Sequence, residues 1–208
     1  VTNSLTTGTT YYYRVSAIND YGTSDTSVIT GALASDVPAQ VTNLTADAVA
    51  GKVIDLVWTA PNNGGSAITG YKIQKSTDGS LFTVLVANTG NTDVDYTETD
   101  GVSPSTGLTA DTLYYYKVSA INAFGTGTAD EANGPTLPQA PATLTLTVQS
   151  DTSIKLDWAN PSGSAETGFK IEISTDGTNW TTETTISFTP TNVYLVNSTK
   201  KYFTTPIL

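Results

Sequence analysis

Two separate blocks of this sequence occur twice, about 100 residues apart, and that repetition constrains the fold more than any other feature. The stretch 5–24 returns at 108–127, an offset of 103, with 13 of 20 aligned positions identical. Leu5 answers to Leu108, Tyr11-Tyr12-Tyr13 to Tyr114-Tyr115-Tyr116, and Val15 through Asn19 to Val118 through Asn122. A second block pairs Trp58 and Pro61 with Trp158 and Pro161, Gly70-Tyr71-Lys72-Ile73 with Gly168-Phe169-Lys170-Ile171, and Ser76-Thr77-Asp78-Gly79 with Ser174-Thr175-Asp176-Gly177. A period of this length is that of a small domain, so 208 residues hold roughly two domains' worth of a recurring unit.

Inside the unit the apolar pattern has a period of two. Ile54, Leu56 and Trp58 point one way, with Val53, Asp55 and Val57 opposite. Tyr71 and Ile73 share a face, as do Tyr114, Tyr116, Val118 and Ala120. Threonine supplies 40 of the 208 residues, and its branched Cβ suits a pleated, half-buried surface better than a helix. Turn signals separate the runs: Pro61 through Gly65, Asp78-Gly79, and Gly125 to Gly127. No stretch sustains a helical spacing, so the expectation is all-β, with about seven short strands per unit in a two-sheet sandwich.

Pro38, Trp58, Pro61 and Tyr71, together with Leu108 six residues before Tyr114, then Tyr116, Val118, Ala120, Asn122 and Gly125, resemble a fibronectin type III module. The resemblance covers the whole middle unit and implies tandem immunoglobulin-like β-sandwiches. It also implies a tyrosine corner, in which the Tyr114 hydroxyl bonds back to nearby backbone. The stretch from Thr97 to Gly107 is longer than the usual corner and is expected to form a looped excursion. Residues 1–36 read as the carboxy-terminal hairpin of a truncated module and 37–137 as a complete module. Residues 138–208 read as a module truncated at its end, with Leu195 and Tyr202 at a corner spacing of seven. The broken ends are expected to reflect a cut from a longer chain, with any targeting segment upstream of Val1. Complementation of one chain's end by another's hairpin is the alternative.

Composition narrows function. The net charge is −10 and the nine basic residues are scattered singly, so nothing resembles the clustered face that neutralises phosphates, and nucleic acid is not an expected partner. No apolar run approaches the length needed to insert in a bilayer. With His and Cys absent, the common nucleophilic triads and Cys/His zinc sites are excluded. A catalytic carboxylate pair is not excluded by composition, but the repeat is expected to place the acids in turns and on exposed strand faces. No catalytic residue and no cofactor are expected.

Candidate sites remain. Asp93, Asp95, Glu98 and Asp100 offer the oxygen ligands that calcium takes, without the spacing of a calcium-loop motif; the competing reading is a solvated strand and loop. Asp36 and Asp47, and Asp130 and Glu131, could hold an ion at the unit junctions. Trp58, Trp158 and Trp180 are expected in the core, the last because it aligns with Phe82. Tyr12 and Tyr115 should point outward, opposite buried tyrosine neighbours, and Tyr21 and Phe124 should sit at hairpin tips. These four are the candidate ligand contacts. Asn43, Asn179 and Asn197 head glycosylation sequons, and the adhesion tripeptide Arg-Gly-Asp is absent.

The expected role is that of non-catalytic structural and adhesive spacer modules in a large extracellular or cell-surface protein. They would be monomeric units in a longer chain, weakly touching other proteins or surface glycans. The alternative is accessory modules of a secreted polysaccharide-degrading enzyme.

Overall fold

A computed structural model describes residues 4–105, 107–159, 167–187, 193–197 and 202–203. Every regular element among them is a strand, as the alternating pattern requires. The chain divides into two compact units, Val1–Thr136 and Leu137–Leu208.

The first unit begins with β1 (Thr10–Tyr13), β2 (Ile18–Asn19), β3 (Gly22–Thr23) and β4 (Thr30–Leu33). β1 pairs antiparallel with β4, and β2 with β3. There follow β5 (Thr42–Ala50), β6 (Val53–Thr59), β7 (Gly70–Ser76), β8 (Thr83–Val86), β9 (Asp95–Thr99), β10 (Leu113–Asn122), β11 (Gly125–Thr126) and β12 (Asp130–Pro135). They form two antiparallel sheets, β5-β6-β9 and β11-β10-β7-β8, with β12 also pairing β10. Burying one face of each sheet against the other gives the sandwich.

The inward faces carry the residues that the period-two pattern selects. Ile54, Leu56 and Trp58 of β6 meet Tyr71 and Ile73 of β7 and Tyr114, Tyr116, Val118 and Ala120 of β10 in one cluster. Trp58 packs edge-on against Tyr71, ring centroids 5.0 Å apart. Leu108 is 2 % exposed, and the Thr109 N–H donates to the Tyr114 hydroxyl at 2.8 Å, so the expected tyrosine corner is formed. The same bond recurs in the amino-terminal hairpin, where the Thr6 N–H donates to the Tyr11 hydroxyl at 2.8 Å.

Burial of the hairpin's other tyrosine departs from expectation. Tyr13 is 58 % exposed where its counterpart Tyr116 is fully buried. β1 pairs only with β4, and among the described residues no second sheet covers that face.

The second unit contains β13 (Ala142–Ser150), β14 (Ser153–Ala159), β15 (Gly168–Ile173), β16 (Thr181–Ser187), β17 (Val193–Asn197) and β18 (Tyr202–Phe203). Its sheets are β13-β14-β17-β18 and β15-β16. Phe169 and Ile171 are buried with Leu156 and Trp158 beside them, and Trp158 meets Phe169 edge-on at 5.4 Å, the geometry of Trp58 and Tyr71 again. The first strand of each sandwich carries the same bulge, between Thr42 and Thr45 and between Ala142 and Thr145. In both, the extra residue takes a left-handed backbone, Asn43 at φ 57 and Thr143 at φ 54.

Two expectations for this unit are corrected. Leu195 lies opposite Lys155 in the β14–β17 ladder, and Tyr202 of β18 pairs with Leu195. The two are cross-strand neighbours in a ladder, so their spacing does not mark a corner. Trp180 is 58 % exposed rather than core. Like its counterpart Phe82 it directly precedes a strand, but Phe82 is half-buried under Lys117 of β10, with Nζ 4.1 Å from the ring centroid. No described strand covers Trp180 in that way. Pro161, the counterpart of Pro61, lies outside the described residues.

Candidate functional site

The chemistry of the middle sandwich concentrates at one residue that period-two alternation turns inward. β9 reads Asp95-Tyr96-Thr97-Glu98-Thr99, so Glu98 shares the core face with Tyr96 and is fully buried. This corrects the expectation that all the acids lie in turns and on exposed faces. A buried carboxylate needs partners, and Glu98 has three. Lys75 of β7 donates from Nζ to Oε1 at 2.6 Å, Ser105 donates its hydroxyl to Oε1 at 2.8 Å, and Tyr116 of β10 donates its hydroxyl to Oε2 at 2.8 Å.

Lys75 is only 6 % exposed and is itself shared. It donates also to the Gly107 carbonyl at 3.1 Å and stands 5.2 Å from the centre of the Tyr114 ring. The cluster therefore ties β9 of one sheet to β7 and β10 of the other and holds the 100–107 excursion onto both. Burial, reinforced by the Glu98 charge, pushes the Tyr116 phenol far above its ordinary value, and the Tyr96 phenol rises for the same two reasons. Tyr116 thus stays a hydrogen-bond donor at every physiological pH.

The four candidate calcium ligands are not brought together. Asp93 is exposed ahead of β9, and Asp95 is exposed on the face of β9 opposite Glu98. Asp100 accepts from the Leu108 N–H at 2.9 Å and from Lys52 at 3.0 Å, and those two bonds, the backbone one first, hold its carboxyl below the usual range. Among the described residues no group of three or more acids is placed to hold a metal ion.

The junction acids have separate engagements. Asp36 accepts from the Val37 N–H, Asp130 from the Leu44 N–H, and Glu131 pairs with Lys117. Asp47 lies directly opposite Asp55 in the β5–β6 ladder.

The aromatic candidates sit in equivalent pairs. Tyr12 is 70 % exposed, its ring lying over Gly31 across the β1–β4 ladder. Tyr115 is half-buried and covers Gly79 in the turn after β7. Tyr21 and Phe124 occupy the corresponding hairpin tips, at 99 % and 58 % exposure. Tyr115 is thus spent on covering a turn, while Tyr12, Tyr21 and Phe124 offer open ring surface.

One residue central to the geometry was named in the sequence only as part of the family pattern, with no role assigned to it. Asn122 ends β10, is 5 % exposed, and uses every hydrogen-bonding position it has. Its Oδ1 accepts from the Phe124 and Gly125 N–H groups, closing the turn into β11, while Nδ2 donates to the Asp36 and Asn63 carbonyls at 2.7 and 2.9 Å. The signal was present, since the identical Asn19 closes its own turn through Tyr21 and Gly22. What could not be read was the distant pair of carbonyls.

Comparison with known proteins places these features. Residues 39–133 match the family model described as the fibronectin type III domain. Exoglucanase B of Cellulomonas fimi is 28 % identical over 209 aligned positions, which take in 91 % of this chain and 18 % of that protein. Human myomesin-2 is 30 % identical, over 77 % of this chain and 11 % of that protein. The chain therefore spans under a fifth of the length of either. Among solved structures, the FN1-FN3 domains of chicken CNTN1 align over 92 % of this chain and 72 % of that one, at 17 % identity and a TM-score of 0.41.

Proposed function

We propose, from the match of residues 39–133 to the fibronectin type III family, that the chain is a run of non-catalytic spacer and adhesive modules in a large extracellular or cell-surface protein. On this reading residues 1–36, 37–137 and 138–208 derive from three successive modules. The repeated corner bond, strand bulge and tryptophan–aromatic pair support that division.

The observation that carries the reading is the closed network around Glu98. The ionisable chemistry that the middle unit buries is turned inward and saturated by partners from the opposing sheet and from Ser105 of the loop after β9, which makes it a fastening. The outer faces carry threonine and isolated aromatic rings, suited to weak lateral contact with proteins or glycans. A net charge of −10 disfavours nucleic acid.

The alignment of Exoglucanase B over 91 % of the chain favours a second reading, in which the same modules flank a catalytic domain acting on polysaccharide. One experiment separates the possibilities. The purified chain is applied to a glycan and surface-protein array and incubated with insoluble polysaccharides. Weak array binding without release of reducing sugar is the expected result, tight adsorption to a polysaccharide favours the second reading, and sugar release by the chain itself defeats both.

A further inference from the structure

The segment that joins the amino-terminal hairpin to the middle sandwich is held along its length by backbone. The Asp36 N–H donates to the Gly64 carbonyl at 2.8 Å and the Ala39 N–H to the Asn62 carbonyl at 2.9 Å, while the Ser35 hydroxyl donates to the Gly65 carbonyl at 3.2 Å. From the other side Asn122 takes the Asp36 carbonyl. The peptide of Asp36 is therefore gripped at both its N–H and its C=O, by the loop after β6 and by the end of β10.

The fit leaves no room for side chains. A Cβ on Gly64, at φ +66, would stand 2.5 Å from both the Asp36 and Val37 carbonyl oxygens. A Cβ on Gly65, at φ +78, would stand 3.0 Å from the Ala34 oxygen and 3.1 Å from the Gly8 nitrogen. Gly8 lies in the corner loop of the preceding hairpin and is itself bonded to Ala34.

We infer that residues 34–39 form a rigid joint locked by Asn122, so that the hairpin and the middle sandwich are held at a fixed angle. A flexible connector would leave its amides to water; this one has exchanged water for partners on the loop after β6 and at the end of β10, and the lock is buried with all four of its hydrogen-bonding positions filled. The mechanical consequence, a stiff connection between a module and the one before it, rests on the spacer reading. The joint itself does not.

Amide hydrogen exchange on the full chain tests it. In the wild-type protein the Asp36 and Ala39 amides are expected to be protected along with Ile73 and Val118 of the core. The variant Asn122→Asp keeps an oxygen for the Phe124 and Gly125 amides but sets a second oxygen against the Asp36 and Asn63 carbonyls. Asp36 and Ala39 should then exchange about tenfold faster or more, with Ile73 and Val118 unchanged.

Wild-type exchange of Asp36 and Ala39 at free-chain rates overturns the inference, and so does an Asn122→Asp protein with unaltered rates. If that variant loses core protection as well, Gly64→Ala decides, since it presses on the joint while leaving Asn122 in place. Unchanged exchange at Asp36 and Ala39 in Gly64→Ala sinks the joint. None of these outcomes depends on whether the chain binds or cleaves a glycan, so the two readings fail separately.

Discussion

Lys75 and Glu98 meet at 2.6 Å although they belong to opposite sheets, and both are removed from solvent. Such a pair is costly to bury and more costly to break, because removing one partner strands the other charge in a low-dielectric interior. Its position at the base of the 100–107 excursion makes it a fastening between the sheets.

Replacing one partner should therefore hurt more than replacing both. Glu98→Leu or Lys75→Met alone is expected to destabilise the middle unit by about 3–5 kcal/mol, and the double variant by much less. Urea denaturation followed through the Trp58 indole resonance measures this. Single variants within about 0.5 kcal/mol of wild type would show that the pair is not a fastening.

Acid should loosen the turn after β7 only as the pH falls below the ordinary carboxylate range. Asp78 accepts from the Leu81 and Ser80 N–H groups and from the Ser76 hydroxyl, which lower its carboxyl from 3.8 to about 2. A depressed folded value means that the stabilisation is complete above 3.8 and is lost as pH falls toward about 2. A carboxyl-detected titration should place the Asp78 midpoint near 2. In Asp78→Asn the turn's pH dependence should vanish. A midpoint at the ordinary value would mean that the turn does not hold the carboxylate.

The shared bulge predicts an asymmetric pair of substitutions. Asn43 tolerates the left-handed backbone at φ 57 and donates from Nδ2 to the Thr59 hydroxyl, whereas Thr143 at φ 54 is β-branched. Thr143→Asn should stabilise the second unit, and Asn43→Thr should destabilise the first, each by about 1 kcal/mol. Thermal unfolding of each variant gives the sign, and the same sign for both would discard the strain argument.

The two tyrosine corners differ in depth. Tyr114 is 4 % exposed and its bond with Thr109 is half-buried, so Tyr114→Phe removes a bond that water replaces only in part, at a cost of about 1 kcal/mol. The bond of Tyr11 with Thr6 is exposed, so water replaces the lost hydroxyl in Tyr11→Phe and the change should be within about 0.5 kcal/mol. Denaturation midpoints of the two variants provide the comparison.

Alternation and repetition were enough to find the framework. Ile54, Leu56, Trp58, Tyr71, Tyr116 and Val118 were legible as one buried layer because strands place successive side chains on opposite faces, and burial of either face repeats every second residue. The corner was legible from the distance between Leu108 and Tyr114. Glu98 obeys the same alternation, yet its charge made an outward placement the natural reading. The error came from judging the residue type apart from its partners, of which the two on the opposing sheet lie 23 and 18 positions away in sequence.

Local pattern in the chain by itself determined the strands and the inward faces, since those follow from the geometry of a few consecutive residues, and the repeated blocks determined the period of about 100 residues. Tertiary structure alone decided which polar groups could be buried. Glu98 needs Lys75 from the opposing sheet, and Asn122 needs the carbonyls of Asp36 and Asn63, 86 and 59 positions away. A polar side chain is stable in the interior only where other segments deliver complementary donors and acceptors within about 3 Å, and that delivery is made by folding.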